Sequence, residues 1–380
     1  MSTPQTLPME RVYALTNAVD GNAVAIFARQ ASGNLIPLTA DPSSPLAADG
    51  TIRPLPPFPA GGLGAGANVA SQSALTLSED GRFLFAVNQR SNDISSFLVT
   101  PSGLHFVSRV PSGGVLPVSV TTFGNLVYVV NAASHGAPPV TPGLDGEGFG
   151  QIAGFSVGLN GVLTPIEDSI RALSSANSTP AQIAFNDDGT LLVVTEITAN
   201  RITVFQVEED GRTSGMTENP SAGDGPFGFA FNSEGILIVS EAGTPPNFEG
   251  SVSSYEVSST GKLTVISGAV ATNQAAACWI VNTSDARYSY TTNFGSGSIT
   301  GFSVSSTGQL TPLDADGRTA FLGDFTLPID MVISRDDQYL DVLALGSQTI
   351  MTLGIGDDGS LTLVSSVGNL PPLAQGLAAG

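Results

Sequence analysis

Three acidic residues stand where this chain could use them for chemistry. Asp330 lies in the strand-forming run Pro328-Ile-Asp-Met, where an apolar side chain would serve packing, so it is a candidate general acid or base. Glu196 and Glu241 end the runs Leu191-Leu-Val-Val-Thr-Glu and Leu237-Ile-Val-Ser-Glu. A carboxylate at such a strand end, near the mouth of a channel, can take a proton or hold a cation. Trp279 is the one tryptophan; it either fills a channel as core or offers a stacking wall to an unsaturated or ring-shaped ligand. Cys278 alternates to the other side of the same run, with no base nearby in sequence, and reads as a small buried hydrophobe. His105 reads as a surface residue of an outer strand, and His135, in a long insertion, can reach over a pore or simply be solvated. No HxH, HExxH or CxxC spacing, GxSxG elbow or phosphate loop occurs, so no transition-metal site and no cofactor are expected.

The elements that must position these residues repeat along the chain. The stretch from Pro180 to Gly211 reads as three strands and two tight turns, at Asp187-Asp188-Gly189 and Asp210-Gly211. Placing the centre of its third strand in register gives Phe27, Phe97, Phe155, Phe205, Tyr255, Phe302 and Leu353, the last four intervals being 50, 50, 47 and 51 residues. A period near 50 residues built from short strands and glycine turns predicts an all-β, seven-bladed β-propeller of four-stranded antiparallel blades, with residues 1–380 forming one domain. The first repeat lacks its innermost strand, and Pro371-Pro-Leu-Ala-Gln-Gly-Leu-Ala378 matches the opening of the template. The C-terminal segment is therefore expected to close the ring by completing blade one.

Charge narrows the partners. The net charge is −20 with a single lysine, Lys262, which excludes nucleic acid and anionic membrane because both require a basic face. The first twelve residues show no basic segment followed by an apolar one, and no run is long and apolar enough to span a bilayer, so a cytoplasmic protein acting on a small molecule is expected.

Registering the innermost strands on Gln182 gives a ring of Ala74, Ser119, Gln182, Gly228, Trp279, Asp330 and Gln375 around the channel. The ends of the second strands give Asn17, Asn88, Asn131, Glu196, Glu241 and Asn293. Short amides there often bond neighbouring backbone, which is the competing reading for the asparagines. The turns within hairpins on one face are uniformly short, whereas residues 39–71, 132–150, 167–179, 214–225, 242–250 and 314–327 read as long connections on the other. That elaborated face is where a binding site is expected. Gln182, Glu196 and Asp330 are the candidate catalytic residues, with Trp279, Gln375, Ser119, Asn131, Glu241 and His135 as candidate binding residues.

The Asp-Gly turns, the endings Val-Asn88 and Thr-Glu196, and the segments TPAQIAFNDDGTLLVVTE, PFGFAFNSEGILIVSEA and CWIVNTSDARYSYTTN resemble the seven-bladed lactonase family over essentially the whole chain. That family groups bacterial 6-phosphogluconolactonase with fungal carboxymuconate-lactonising enzymes. The resemblance implies Pro-Arg-His at the start of an innermost strand and a Glu at the end of the next. Here the first site reads Pro180-Ala181-Gln182 and the second Glu196, so the acid is kept while the cation and the histidine are lost. A phosphorylated or polycarboxylate substrate needs Arg or Lys to offset its charge. Three functions follow: a cyclase or isomerase acting on an uncharged, largely apolar molecule, a neutral-lactone hydrolase using Glu196 or Asp330, and a non-catalytic binding propeller. The first is favoured, because ring formation, including cycloaddition, needs shape and hydrogen-bond donors more than acid–base groups.

Overall fold

The computed structural model describes residues 10–40, 52–133, 149–176 and 178–380. Seven antiparallel sheets stand around one axis, and the described residues contain no helix. The innermost strands, in ring order, are Leu377–Ala379, Leu75–Leu77, Val115–Phe123, Pro180–Phe185, Pro226–Phe231, Ala277–Asn282 and Pro328–Ile333, each packed on the next. Leu377–Ala379 pairs antiparallel with Arg11–Leu15, so the C-terminal segment completes blade one as its sequence predicts.

Second strands such as Leu191–Glu196 and Phe83–Asn88 are buried along their whole length because each blade is covered on both faces by its neighbours. This is why they read as continuous apolar runs rather than alternating ones. The repeated glycines have a sharper purpose. Gly161, Gly211, Gly261, Gly308 and Gly359 all turn from third to fourth strand at φ between +78° and +83°. Their carbonyls accept from Ser96, Tyr128, Asn219, Ser254 and Tyr290 of the preceding blade. A Cβ at any of the five would sit within 3 Å of the neighbouring blade's side chains. One residue type thus sets both the turn and the blade spacing.

The outer strands depart from the sequence expectation. Segments 167–179, 214–225 and 314–327 are not purely connections, because strands Arg171–Ala176, Thr213–Pro220 and Ala320–Phe321 lie within or across them. In blades one, three and six the fourth strand is split in two, and both pieces pair with the third strand. The first pieces are Leu35–Pro37, Leu163–Pro165 and Leu310–Pro312. Each stops at a proline, which has no N–H to extend a ladder, so the break is written in the sequence. The span 39–71 is accordingly not one connection, because the outer strand of blade one resumes within it at Phe58–Pro59.

Ring closure is reinforced by charge. Arg29 of blade one donates to Asp341 of blade seven and pairs with Glu10, lies 5.0 Å over the Tyr339 ring, and is itself buried. Asp341 also accepts from Thr352 at 2.7 Å. Breaking a buried pair leaves an uncompensated charge and costs about 3–5 kcal/mol. Arg29→Ala should therefore lower urea-denaturation stability by about that amount, and Arg29→Met with Asp341→Leu should recover most of it. Equal losses in the single and double variants would show that the pair does not hold the seam.

Candidate functional site

Three positions of the predicted inner ring, Ser119, Gln182 and Asp330, share one task. In five innermost strands the register with the second strand shifts at or beside the ring position, leaving a bulge that turns a backbone N–H away from its own ladder. In blades four and five the preceding blade caps that N–H, blade seven caps Leu377 of blade one in the same way, and Met331 N donates instead to Asp330 Oδ1 of its own strand at 3.0 Å. Ser119 Oγ accepts from Ile183 N at 3.2 Å, Gln182 Oε1 from Phe229 N at 2.6 Å, and Asp330 Oδ2 from Leu377 N at 2.9 Å. Gly228 has no side chain to give, and Gln72 supplies the cap in its place. Gln72 Oε1 accepts from Ile280 N at 3.0 Å and occupies the space a Cβ on Gly228 would need.

Gln72 belongs to a segment that crosses the axis. Its N–H donates to Ala181 O, its Nε2 donates to Ile280 O, and Ser73 O accepts from Val120 N. Trp279 Nε1 donates to Ser71 O at 2.8 Å, and Gln375 Nε2 to Ser71 Oγ at 2.8 Å. Residues 71 and 72 are buried. They fill the axis between the crossover face, where the long connections lie, and the short-turn face.

This geometry places each predicted site residue. Ser119, Gln182, Asp330 and Gln375 come together on the ring as caps and struts. Trp279 is buried against the crossing segment on the side of the long connections, its ring centroid 4.8 Å from that of Phe227, and so lies in the core one layer below that mouth. Glu196 and Glu241 lie in seams between blades, not on the channel surface. Glu196 accepts from Ser174 Oγ at 2.7 Å and from Thr203. Glu241 accepts from Gly223 N at 3.0 Å and from Ser251 and Ser253, both at 2.5 Å. Asn131 Nδ2 donates to Ser112 O at 3.1 Å in the equivalent role. These groups staple a second strand to the connection arriving from the previous blade. His135 falls outside the described residues.

Burial pushes the carboxyls of Glu196 and Glu241 above the ordinary range against the pull of their donors. Desolvation pushes Asp330 up to about 7, and the Leu377 and Met331 N–H groups oppose it only in part. Asp330 also holds a positive φ of 29°.

The crossover-face mouth carries a pattern that registering on polar residues missed. Three residues before the ring position, Leu116, Thr179, Gly225, Ala276 and Leu327 all take φ between +49° and +69°. Four of these are not glycine, and a β-branched residue such as Thr179 adopts this conformation only when its surroundings impose it. The carbonyls of Thr179, Gly225, Ala276 and Leu327 accept from Ile197, Ala242, Phe294 and Leu345, the residues just after the second strands. Ile197, Ala242, Ala276, Phe294 and Leu345 pack on the cluster containing Ala181, Phe227 and Trp279. Blades four to seven therefore present a half-buried collar with no charged side chain among these positions.

A seven-bladed propeller with a crossed axis and an uncharged collar is the class of protein this structure defines. The family model for lactonase, 7-bladed beta-propeller, matches residues 21–140 and 151–244, and the chain belongs to that family. No curated protein matches it in sequence. Among solved structures, a putative 6-phosphogluconolactonase from Bacteroides fragilis is 19% identical over 100% of both chains with a TM-score of 0.72. The periplasmic gluconolactonase of Pseudomonas aeruginosa is 15% identical over 98% of this chain and 99% of its own, with a TM-score of 0.68. At these identities the likeness speaks for the fold.

The raised Asp330 carboxyl has a pH signature. Its pKa is higher folded than unfolded, so between about pH 4 and pH 7 the unfolded chain gives up this proton first and stability falls as pH rises, by a few kcal/mol in all. Asp330→Asn should flatten that part of the stability curve. An unchanged slope from pH 4 to 7 would show that Asp330 does not titrate in this window.

Proposed function

We propose that this protein is a lactonase-family enzyme whose substrate is an uncharged, largely apolar small molecule bound at the crossover-face end of the channel, and that it closes or isomerises a ring. The collar carries the reading. Ile197, Ala242, Ala276, Phe294 and Leu345 offer apolar surface from four blades, and the place where the family resemblance puts a cation and a histidine holds Ala181 and Gln182, both buried. Nothing in that collar offsets a phosphate or carboxylate. Its strained backbone resists collapse, so the surface is preorganised, and confinement of reacting ends in such a frame lowers a ring-forming barrier without proton transfer.

The lactone-hydrolase alternative draws on Asp330, whose carboxyl near pH 7 would be half-ionised and able to take a proton from water. Its oxygens already accept from Met331 and Leu377, which favours a structural duty.

The test is native mass spectrometry of the protein incubated with neutral lactones, phospholactones and apolar unsaturated precursors. A bound apolar precursor converted at unchanged mass is the expected result. Ile197→Glu, a change at a half-buried collar position, should abolish that binding at an unshifted thermal midpoint. Gain of water on a neutral lactone would establish the hydrolase, and binding restricted to phospholactones would refute an uncharged substrate.

A further inference from the structure

Below the crossing segment the axis opens on the short-turn face as a funnel of about 520 Å³. It lies opposite the collar, and none of the collar residues lines it. Its walls are the lower halves of four innermost strands with Ala379 of a fifth, Phe229, Ile280, Met331 and Ile333 are among the apolar residues, and Gln72 and Gln182 lie toward its inner end. Charged groups lining it, Asp187, Arg335 and Asp337, lie in the turns after those strands, at the rim.

The two amides differ in what they have left to give. Gln72 is spent, its Oε1 and Nε2 both bonded to the backbone of Ile280. Gln182 is only half used. Its Oε1 accepts from Phe229 N, while its Nε2 donates to no described residue, although the side chain is only 4% exposed. Nε2 meets the open funnel, so a ligand carbonyl can take the place of water as its acceptor. The other amide of the wall, Asn282, is satisfied by Ala230 O and Ser289.

We propose that the funnel is a second ligand site, taking a neutral compound with an apolar body and one carbonyl, whose oxygen accepts from Gln182 Nε2. The volume lies in the range of small-molecule sites, and the composition, an apolar wall with a single convergent donor, is the one such sites use. A carboxylate or phosphate is disfavoured, because Asp187 and Asp337 outnumber Arg335 at the rim and no cation lies deeper. The crossing segment lies between the funnel and the collar, so the two fill independently.

Acetophenone and ethylbenzene make a matched pair of probes, alike in size and differing in the carbonyl. Binding is followed by the ¹³C-methyl resonance of Met331, a funnel residue. Acetophenone should shift that resonance saturably and bind about tenfold more tightly than ethylbenzene, the difference one good hydrogen bond makes. Gln182→Glu keeps an acceptor for Phe229 N but removes the donor, and should bring the two probes to equal affinity. Ala230→Trp narrows the funnel without touching the ring bonds and should abolish binding of both, whereas Ile197→Glu at the collar should leave both unchanged. Equal affinity of the probes for the unaltered protein, no shift at Met331, or tight binding that survives both funnel variants would overturn the proposal.

Discussion

An N–H that turns inward at the axis of a ring of strands has no ladder partner, and the rest of this structure follows from satisfying it. A buried donor left unpaired would cost more than most single contacts contribute. Three blades solve the problem for the next, through Ser119, Gln182 and Asp330, so these caps also tie neighbouring blades together. Where Gly228 breaks the series, Gln72 is drawn across the channel to mend it, and the axis is filled as a consequence.

Buried acids serve the same economy further out. Glu196, Glu241 and Asp341 each collect several donors at a blade seam and bear a desolvation penalty that raises their pKa. A carboxylate accepts more bonds than an amide, which suits the seams where two or three donors arrive together. Side chains that look catalytic by type are consumed in holding blades together, and the surface left at the crossover mouth is apolar.

The fold was legible because it is periodic. The seven registered third-strand centres, the Asx-Gly turns and the tail's match to Pro180-Ala-Gln all correspond to observed elements. The register of the positions from Ala74 to Gln375 was legible for the same reason, whereas the gap that Gly228 leaves in the series of caps was not. The broken outer strands were also written, in the repeated Leu-x-Pro of residues 35–37, 163–165 and 310–312, but as a stop signal that a period search passes over. What could not be read was the crossing of the axis by Ser71 and Gln72, since that contact joins residues some 208 positions apart with no repeat to announce it. The collar was hidden for a different reason: Leu116, Thr179, Ala276 and Leu327 share a backbone conformation rather than a side-chain type. Glu196 and Glu241 were located correctly along their strands, but sequence position alone does not tell a carboxylate facing a channel from one facing a seam.

The central claim, that the crossover-face mouth takes an uncharged molecule, is tested most directly by titrating the intrinsic fluorescence of Trp279, which lies one layer beneath the collar, at low and at high salt. An apolar unsaturated ligand should change the emission saturably with the same affinity at both ionic strengths, because no charge pairing contributes. A response confined to phosphorylated or carboxylated ligands, weakening steeply with salt, would contradict the account.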